Sequence, residues 1–158
     1  MRVLKTLLLA LIINLFSFNS YGQCKKALKK CKSKLHPYIH NGQYYYVKLG
    51  EGERAELEWT LFSGLGYRAL ICGQAKLAKI EFQILDKNKD REVLFDSKLQ
   101  SYANFWDFTV DKRQEYVFSV SIPKDHNGSS QDERGRKKPE TLNKCVILLI
   151  GFMDNVEM

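Results

Sequence analysis

The sequence predicts a mainly β protein: an antiparallel β-sandwich of about eight strands with one N-terminal helix docked on it. Three observations lead there. After Pro37 most of the chain alternates apolar and polar residues with period two, the mark of half-buried strands. The one segment with helical periodicity stands at the front, over residues 24–36. Four cysteines divide evenly between that helix and two strand-like segments.

The strands follow in order. "GQYYYVKL" (42–49) is aromatic and β-rich, and alternation sets Tyr45 opposite to Tyr44 and Tyr46. "RAELEWTL" (54–61) turns Ala55, Leu57, Trp59 and Leu61 to one side and its charged residues to the other. "YRALICG" (67–73) is the third, after a bend at "SGLG" (63–66). "KIEFQIL" (79–85) sends Ile80, Phe82 and Ile84 inward, and "EVLFDS" (92–97) follows a turn. "NFWDFTV" (104–110) and "YVFSVSI" (116–122) repeat the pattern through Trp106, Phe108, Val110 and Tyr116, Phe118, Val120, Ile122. Such alternation argues for two antiparallel sheets, each with one solvated face, burying their inner faces together. The last strand, from Cys145 to about Met153, is apolar at consecutive positions, as expected of a central strand covered by the helix on its outer side.

That helix contains "QCKKALKKCKSKL" (23–35). Cys24, Leu28, Cys31 and Leu35 fall on one stripe, and lysines take the other faces. Ala, Leu and Lys favour a helix, and Pro37 closes it. Seven helical residues rise about 10.5 Å, whereas a disulfide needs its Cα atoms within about 7 Å. Cys24 and Cys31 therefore each need a partner elsewhere, and Cys72 and Cys145 are the two available. Both connectivities, 24–145 with 31–72 and 24–72 with 31–145, fit a helix stapled twice to a sheet. No CxxC occurs, which speaks against a zinc site or a thioredoxin-type redox motif.

The chain opens MRVLKTLLLALIINLFSFNSYGQC. Arg2 and Lys5 precede an apolar run from Leu7 to Phe16, and Ser20 and Gly22 stand three and one positions before a cut after Gly22. A signal peptide over 1–22 and a periplasmic or secreted mature chain are expected. Gln23 before Cys24 is not the small residue that lipoprotein cleavage requires. No later segment is long enough to cross a membrane, since "CVILLIGFM" (145–153) has the length of one strand. Residues 23–154 then form one domain, with an exposed loop over 124–143 and a short tail at 155–158. The formal charge is +7. Lys25, Lys26, Lys29, Lys30, Lys32 and Lys34 concentrate it in the helix, with a milder basic patch at "RGRKKP" (134–139).

The sequence points away from an enzyme, and no cofactor is implied. His36 and His40 are spaced like a ligand pair, but Pro37 between them breaks the helix that would align them. His126 lies in the loop, where "NGS" at 127 would be a glycosylation sequon only in a suitable host. "DKNKDRE" (86–92) offers Asp86, Asn88 and Asp90 as metal candidates, yet Arg91 and Ser97 replace the Gly and Glu of a calcium loop, so a turn is the simpler reading. Candidate ligand-surface residues are Lys25, Lys29 and Lys32 on the helix and Tyr45 and Trp106 on the strands. Their partner would be an anionic envelope component or a polysaccharide, or else a protein. The basic helix has neither arginine nor interleaved aromatics, which excludes nucleic acid from the expectation.

"HPYIHNGQ", "GLGYRALIC", "VLFDS", "WDF" and "KCVILLIGF", together with the early cysteine, resemble small uncharacterised exported proteins of Bacteroidetes-type bacteria. More remotely the layout resembles the non-catalytic β-sandwich domains of secreted peptidases. These resemblances imply a periplasmic or secreted sandwich without an assigned activity. The functional expectation is an exported, non-catalytic binding or structural module of the cell envelope. The alternatives are a small secreted hydrolase, whose carboxylates Asp107, Asp111 and Glu115 converge in space, and a calcium- or polysaccharide-binding accessory domain.

Overall fold

A computed structural model of the chain describes residues 22–40, 42–73, 80–124 and 144–154. The expected leader up to residue 21, the loop from 125 to 143 with His126, the sequon and the 134–139 patch, and the tail at 155–158 lie outside the described residues.

The elements run α1 (Gly22–Lys32), β1 (Ile39–His40), β2 (Tyr45–Leu49), β3 (Arg54–Leu61), β4 (Leu65–Gly73), β5 (Glu81–Asp86), β6 (Glu92–Asp96), a 3-10 turn at Ser97–Gln100, β7 (Phe105–Thr109), β8 (Gln114–Ser121) and β9 (Lys144–Asp154). Two antiparallel sheets result. In the first, β9 is flanked on one side by β4 and then β7. On its other side β1 and β2 share its edge, β1 along Gly151–Phe152 and β2 along Lys144–Leu148. The second sheet has the order β3–β8–β5–β6. The expected sandwich with a docked helix is the observed fold.

The inner faces meet in a core in which Leu49, Tyr67, Ala69, Ile71, Val146, Leu148 and Ile150 of the first sheet oppose Leu61, Phe82, Ile84, Phe95, Tyr116, Phe118 and Val120 of the second. Aromatic rings cross the gap. Trp106 stacks on Phe95 with centroids 5.4 Å apart, and Phe108 meets Tyr116 edge-on at 6.0 Å. Ala55, Leu57, Trp59 and Ile80 pack at the margins of this core.

The outer face of the first sheet has a second apolar cluster. Alternate residues of β9, namely Cys145, Ile147, Leu149 and Met153, join Leu70, Cys24, Cys31, Leu35 and Tyr38 beneath the helix. Burial on both faces is why β9 lacks the alternation of the other strands. Two disulfides fix the arrangement: Cys24 bonds Cys145 across 5.7 Å between Cα atoms, and Cys31 bonds Cys72 across 5.9 Å. Of the two connectivities open to the sequence, the first is adopted.

Some boundaries differ from expectation. The helix ends at Lys32, not at 36. Beyond it the Ser33 hydroxyl donates to the Lys30 carbonyl at 2.9 Å, and the Lys34 and Leu35 amides bond three residues back instead of four. A further turn from Leu35 to Tyr38 carries the chain through Pro37. Leu35 is still buried, delivered by a turn rather than by the helix. Strand β1 is two residues long, too short to leave a period-two signal. β4 begins at Leu65 because the chain crosses from the second sheet to the first in a turn at Ser63–Gly64, where Gly64 takes φ +84°.

The turn after the helix closes onto β9 only because position 151 is glycine. A Cβ there would stand 2.8 Å from the Tyr38 Cβ and 2.9 Å from Leu35 Cγ and Cδ2. The Tyr38 Cβ cannot swing away as a side-chain tip can. Gly151→Ala is therefore expected to cost about 1–3 kcal/mol of stability, the usual range for overpacking. Urea unfolding should show a lower midpoint with an unchanged slope; an unshifted midpoint would show that the turn yields freely.

Candidate ligand groove

Antiparallel pairing with β9 decides where the three consecutive tyrosines point. Tyr46 lies opposite Ile147 and Lys48 opposite Cys145, both on the helix side of the sheet. Tyr45, Val47 and Leu49 therefore turn to the sandwich side, where Tyr45 packs edge-on against Trp59 with centroids 5.1 Å apart. Tyr44 continues the alternation and stands beside Tyr46, the two rings 6.4 Å apart and 27° from parallel.

Between these rings and α1 runs a shallow groove lined by Cys24, Lys25, Leu28, Tyr44, Tyr46, Lys48 and Ile147, enclosing about 90 Å³. Its floor is apolar and fixed by the Cys24–Cys145 bridge. Its rim is cationic, with Lys25 on the helix and Lys48 on β2, and the Lys32 ammonium lies 5.4 Å from the Tyr44 centroid. Tyr44 and Tyr46 remain 42% and 51% exposed, so the rings are available to a ligand. Among the described residues no carboxylate forms an ion pair with Lys25, Lys29 or Lys32.

Of the residues singled out in the sequence, Lys25 lines this groove, and Lys32 borders it only through its approach to the Tyr44 ring. Lys29 is exposed on the helix but is not among the residues lining it. Tyr45 falls on the sandwich side by strand parity, outside this groove, and is still 40% exposed. Trp106 is corrected to the core margin, where it stacks on Phe95 and, at 4.5 Å, on Phe108. Tyr44, Tyr46 and Lys48 replace them. Their signal was present in the alternation of "YYYVK", but which parity faced outward depended on where the helix lay.

The carboxylates Asp107, Asp111 and Glu115 do not converge. Asp107 lies on the helix side of the first sheet, where Arg68 Nε and Nη2 donate to it at 2.6 and 2.5 Å. Glu115 belongs to β8 of the second sheet and pairs with Lys87 at 3.0 Å, while Asp111 lies between β7 and β8. The Arg68 guanidinium is held between the rings of Tyr38 and Phe105, 4.6 and 4.8 Å away, and Nη1 donates to the His36 carbonyl at 3.2 Å. Hydrogen bonding to Asp107 strengthens the hold of Arg68 on its proton, and burial, seconded by the Asp107 charge, pushes the Tyr38 hydroxyl up. This cluster ties the turn after α1 to β4 and β7.

Asp86 uses Oδ1 to accept the Asn88 amide at 2.9 Å, which makes residues 86–91 the tight turn between β5 and β6. Among the described residues no group of three or more His, Cys, Asp or Glu is placed to hold a metal ion. No described helix is long and apolar enough to cross a membrane. Val93, Leu94, Leu99, Tyr102 and Phe105 leave an apolar corner beside the 3-10 turn.

No protein-family model matches the chain, and no curated protein matches it either. Among solved structures it is similar to PliG of Aeromonas hydrophila, a periplasmic inhibitor of g-type lysozyme, at 10% identity and a TM-score of 0.45, over 70% of this chain and 85% of that one. A likeness of that size carries no argument about binding.

Two outcomes follow from this geometry. Cys24→Ala with Cys145→Ala leaves the other bridge in place, should cost about 2–4 kcal/mol, and should speed amide exchange over residues 25–28 more than over 29–32. Uniform protection along the helix would show that packing alone holds the groove wall. The second concerns His40, whose Nδ1 accepts the Gly42 amide at 3.0 Å and whose buried Nε2 has no partner among the described residues. Burial lowers its pKa, so the unfolded chain takes up protons first as pH falls through about 6.5. Stability should decline there and level off below the folded-state pKa. Urea midpoints across that range should fall less steeply for His40→Gln; equal slopes would refute the assignment.

Proposed function

We propose that the chain is an exported, non-catalytic binding module of the cell envelope, which meets an anionic partner through the face made by α1 and β2. Export is supported by the leader-like segment at 1–22, by the resemblance to small exported proteins, and by two disulfides of a kind that persist in oxidising compartments. The observation that carries the binding reading is the groove itself. Cations gather beside exposed rings, Lys25, Lys29 and Lys32 have no anionic partner among the described residues, and a bonded helix holds the wall in place.

The physical logic is electrostatic. Lysines on an exposed helix repel one another, and a polyanion laid across them relieves that repulsion. Such contacts weaken as salt rises, because the screening length shrinks to about 8 Å at physiological ionic strength and further above it. The rigid floor adds preorganisation, so little ordering cost falls on the protein when it binds.

The test is retention of the mature, oxidised protein on its native envelope fraction. Lys25→Glu, Lys29→Glu and Lys32→Glu in one chain should lower retention at least about tenfold at low salt, with only a modest change in the urea midpoint: all three side chains are exposed, and an acid at 25 near the helix N-terminus offsets the dipole interaction lost with Lys29 and Lys32 near its C-terminus. Retention of the parent should fall progressively with added salt. Undiminished retention of the triple variant would reject this face as the binding surface.

A further inference from the structure

We infer that the ligand of the groove is an acidic saccharide chain, its rings lying on Tyr44 and Tyr46 and its anionic groups meeting Lys25, Lys32 and Lys48. This deepens, and rests on, the reading of the α1–β2 face as the binding surface.

A plain polyanion needs only point charges, and the exposed lysines of α1 would hold one anywhere along the helix. The groove adds two tyrosine rings, near-parallel and 6.4 Å apart, at positions two apart in an extended segment. Both rings are about half exposed and so present apolar surface to a ligand. A sugar ring has the complementary character, with C–H groups on its faces and hydroxyls around its edge. A tyrosine offers a flat apolar face and a polar tip to match.

Depth and charge narrow the class. About 90 Å³ is well below the roughly 300–1,000 Å³ of pockets that engulf a small ligand. A trough of this size suits a segment of a chain passing across the surface rather than a whole enclosed ligand. Lys32 stands over one ring, and Lys25 and Lys48 line the same trough, so anionic substituents on the sugar would be met from both walls. Single-stranded nucleic acid also combines stacking with phosphate charge, but its binding grooves draw on arginine, and the lining here has none. The disulfides further place the chain in an oxidising compartment.

The experiment uses the mature, oxidised protein with five probes: an oligogalacturonate, a sulfated oligosaccharide, a neutral malto-oligosaccharide, a polyglutamate peptide of matched charge, and an oligothymidylate. Dissociation constants are measured alongside the NMR ring signals of Tyr44 and Tyr46. Tyr44→Leu with Tyr46→Leu keeps apolar bulk and removes the rings. It should bind the acidic saccharide about tenfold or more weakly, yet bind polyglutamate as the parent does. Binding of the carboxylated or the sulfated chain in this pattern supports the inference and identifies the anion. If polyglutamate binds as tightly as either acidic saccharide, or the tyrosine variant binds them undiminished, the saccharide class is overturned while the lysine face stands. Tighter binding of the oligothymidylate overturns it in favour of nucleic acid. Equal binding of the neutral chain, or no binding by any anion, would bring down the reading of the face as well.

Discussion

The bond between Cys24 and Cys145 and the bond between Cys31 and Cys72 hold one short helix across two neighbouring strands, and the rest of the molecule is arranged around that attachment. Eleven residues of lysine-rich helix would be marginal by themselves. Fixed at both ends of its apolar stripe, the helix loses little further entropy on docking. It then covers the outer faces of β9 and β4, so that β9 is buried on both sides. The lysines of the last turn also sit favourably against the helix dipole. Covalent attachment is what allows a segment so rich in one charge to remain ordered against the sheet.

The attachment extends past the helix. Leu35 and Tyr38 enter the space left by Gly151, and Tyr38 then forms one side of the stack around Arg68. Arg68 in turn grips Asp107 on β7 and the carbonyl of His36. A single chain of contacts thus runs from the bridged helix through the turn to the far edge of the sheet. An arginine buried to this degree is stable because its charge is matched in two-point geometry and its flat faces are covered by rings.

The same attachment creates the groove. With no helix, Tyr44, Tyr46 and Lys48 would be three residues on the open face of an edge strand. With it they become one wall of a trough whose other wall carries Lys25. The neighbouring Tyr45 joins Trp59 between the sheets and helps close the sandwich at that edge. Three identical consecutive residues thereby take two different roles, assigned only by the side of the sheet on which each falls. The inner core makes no comparable demand, being a conventional meeting of apolar and aromatic side chains from two faces.

Much of this was legible in the linear chain. Period-two alternation marks β3, β5, β7 and β8, and the four-three-four spacing marks the buried stripe that holds both thiols. Helical rise alone forbids a bond between Cys24 and Cys31. These are local constraints, set by the period of a strand or a helix, and any residue can be assigned to a face from its neighbours. What the chain could not reveal depended on distant segments meeting. The pairing of each thiol, the early end of the helix at Lys32, and the placement of Tyr45 on the sandwich side follow from which strand lies beside which. The convergence of Tyr44, Tyr46, Lys48, Lys25 and Lys32 has the same origin. Alternation separates two faces without saying which will be covered, and that was decided when the helix docked on β9.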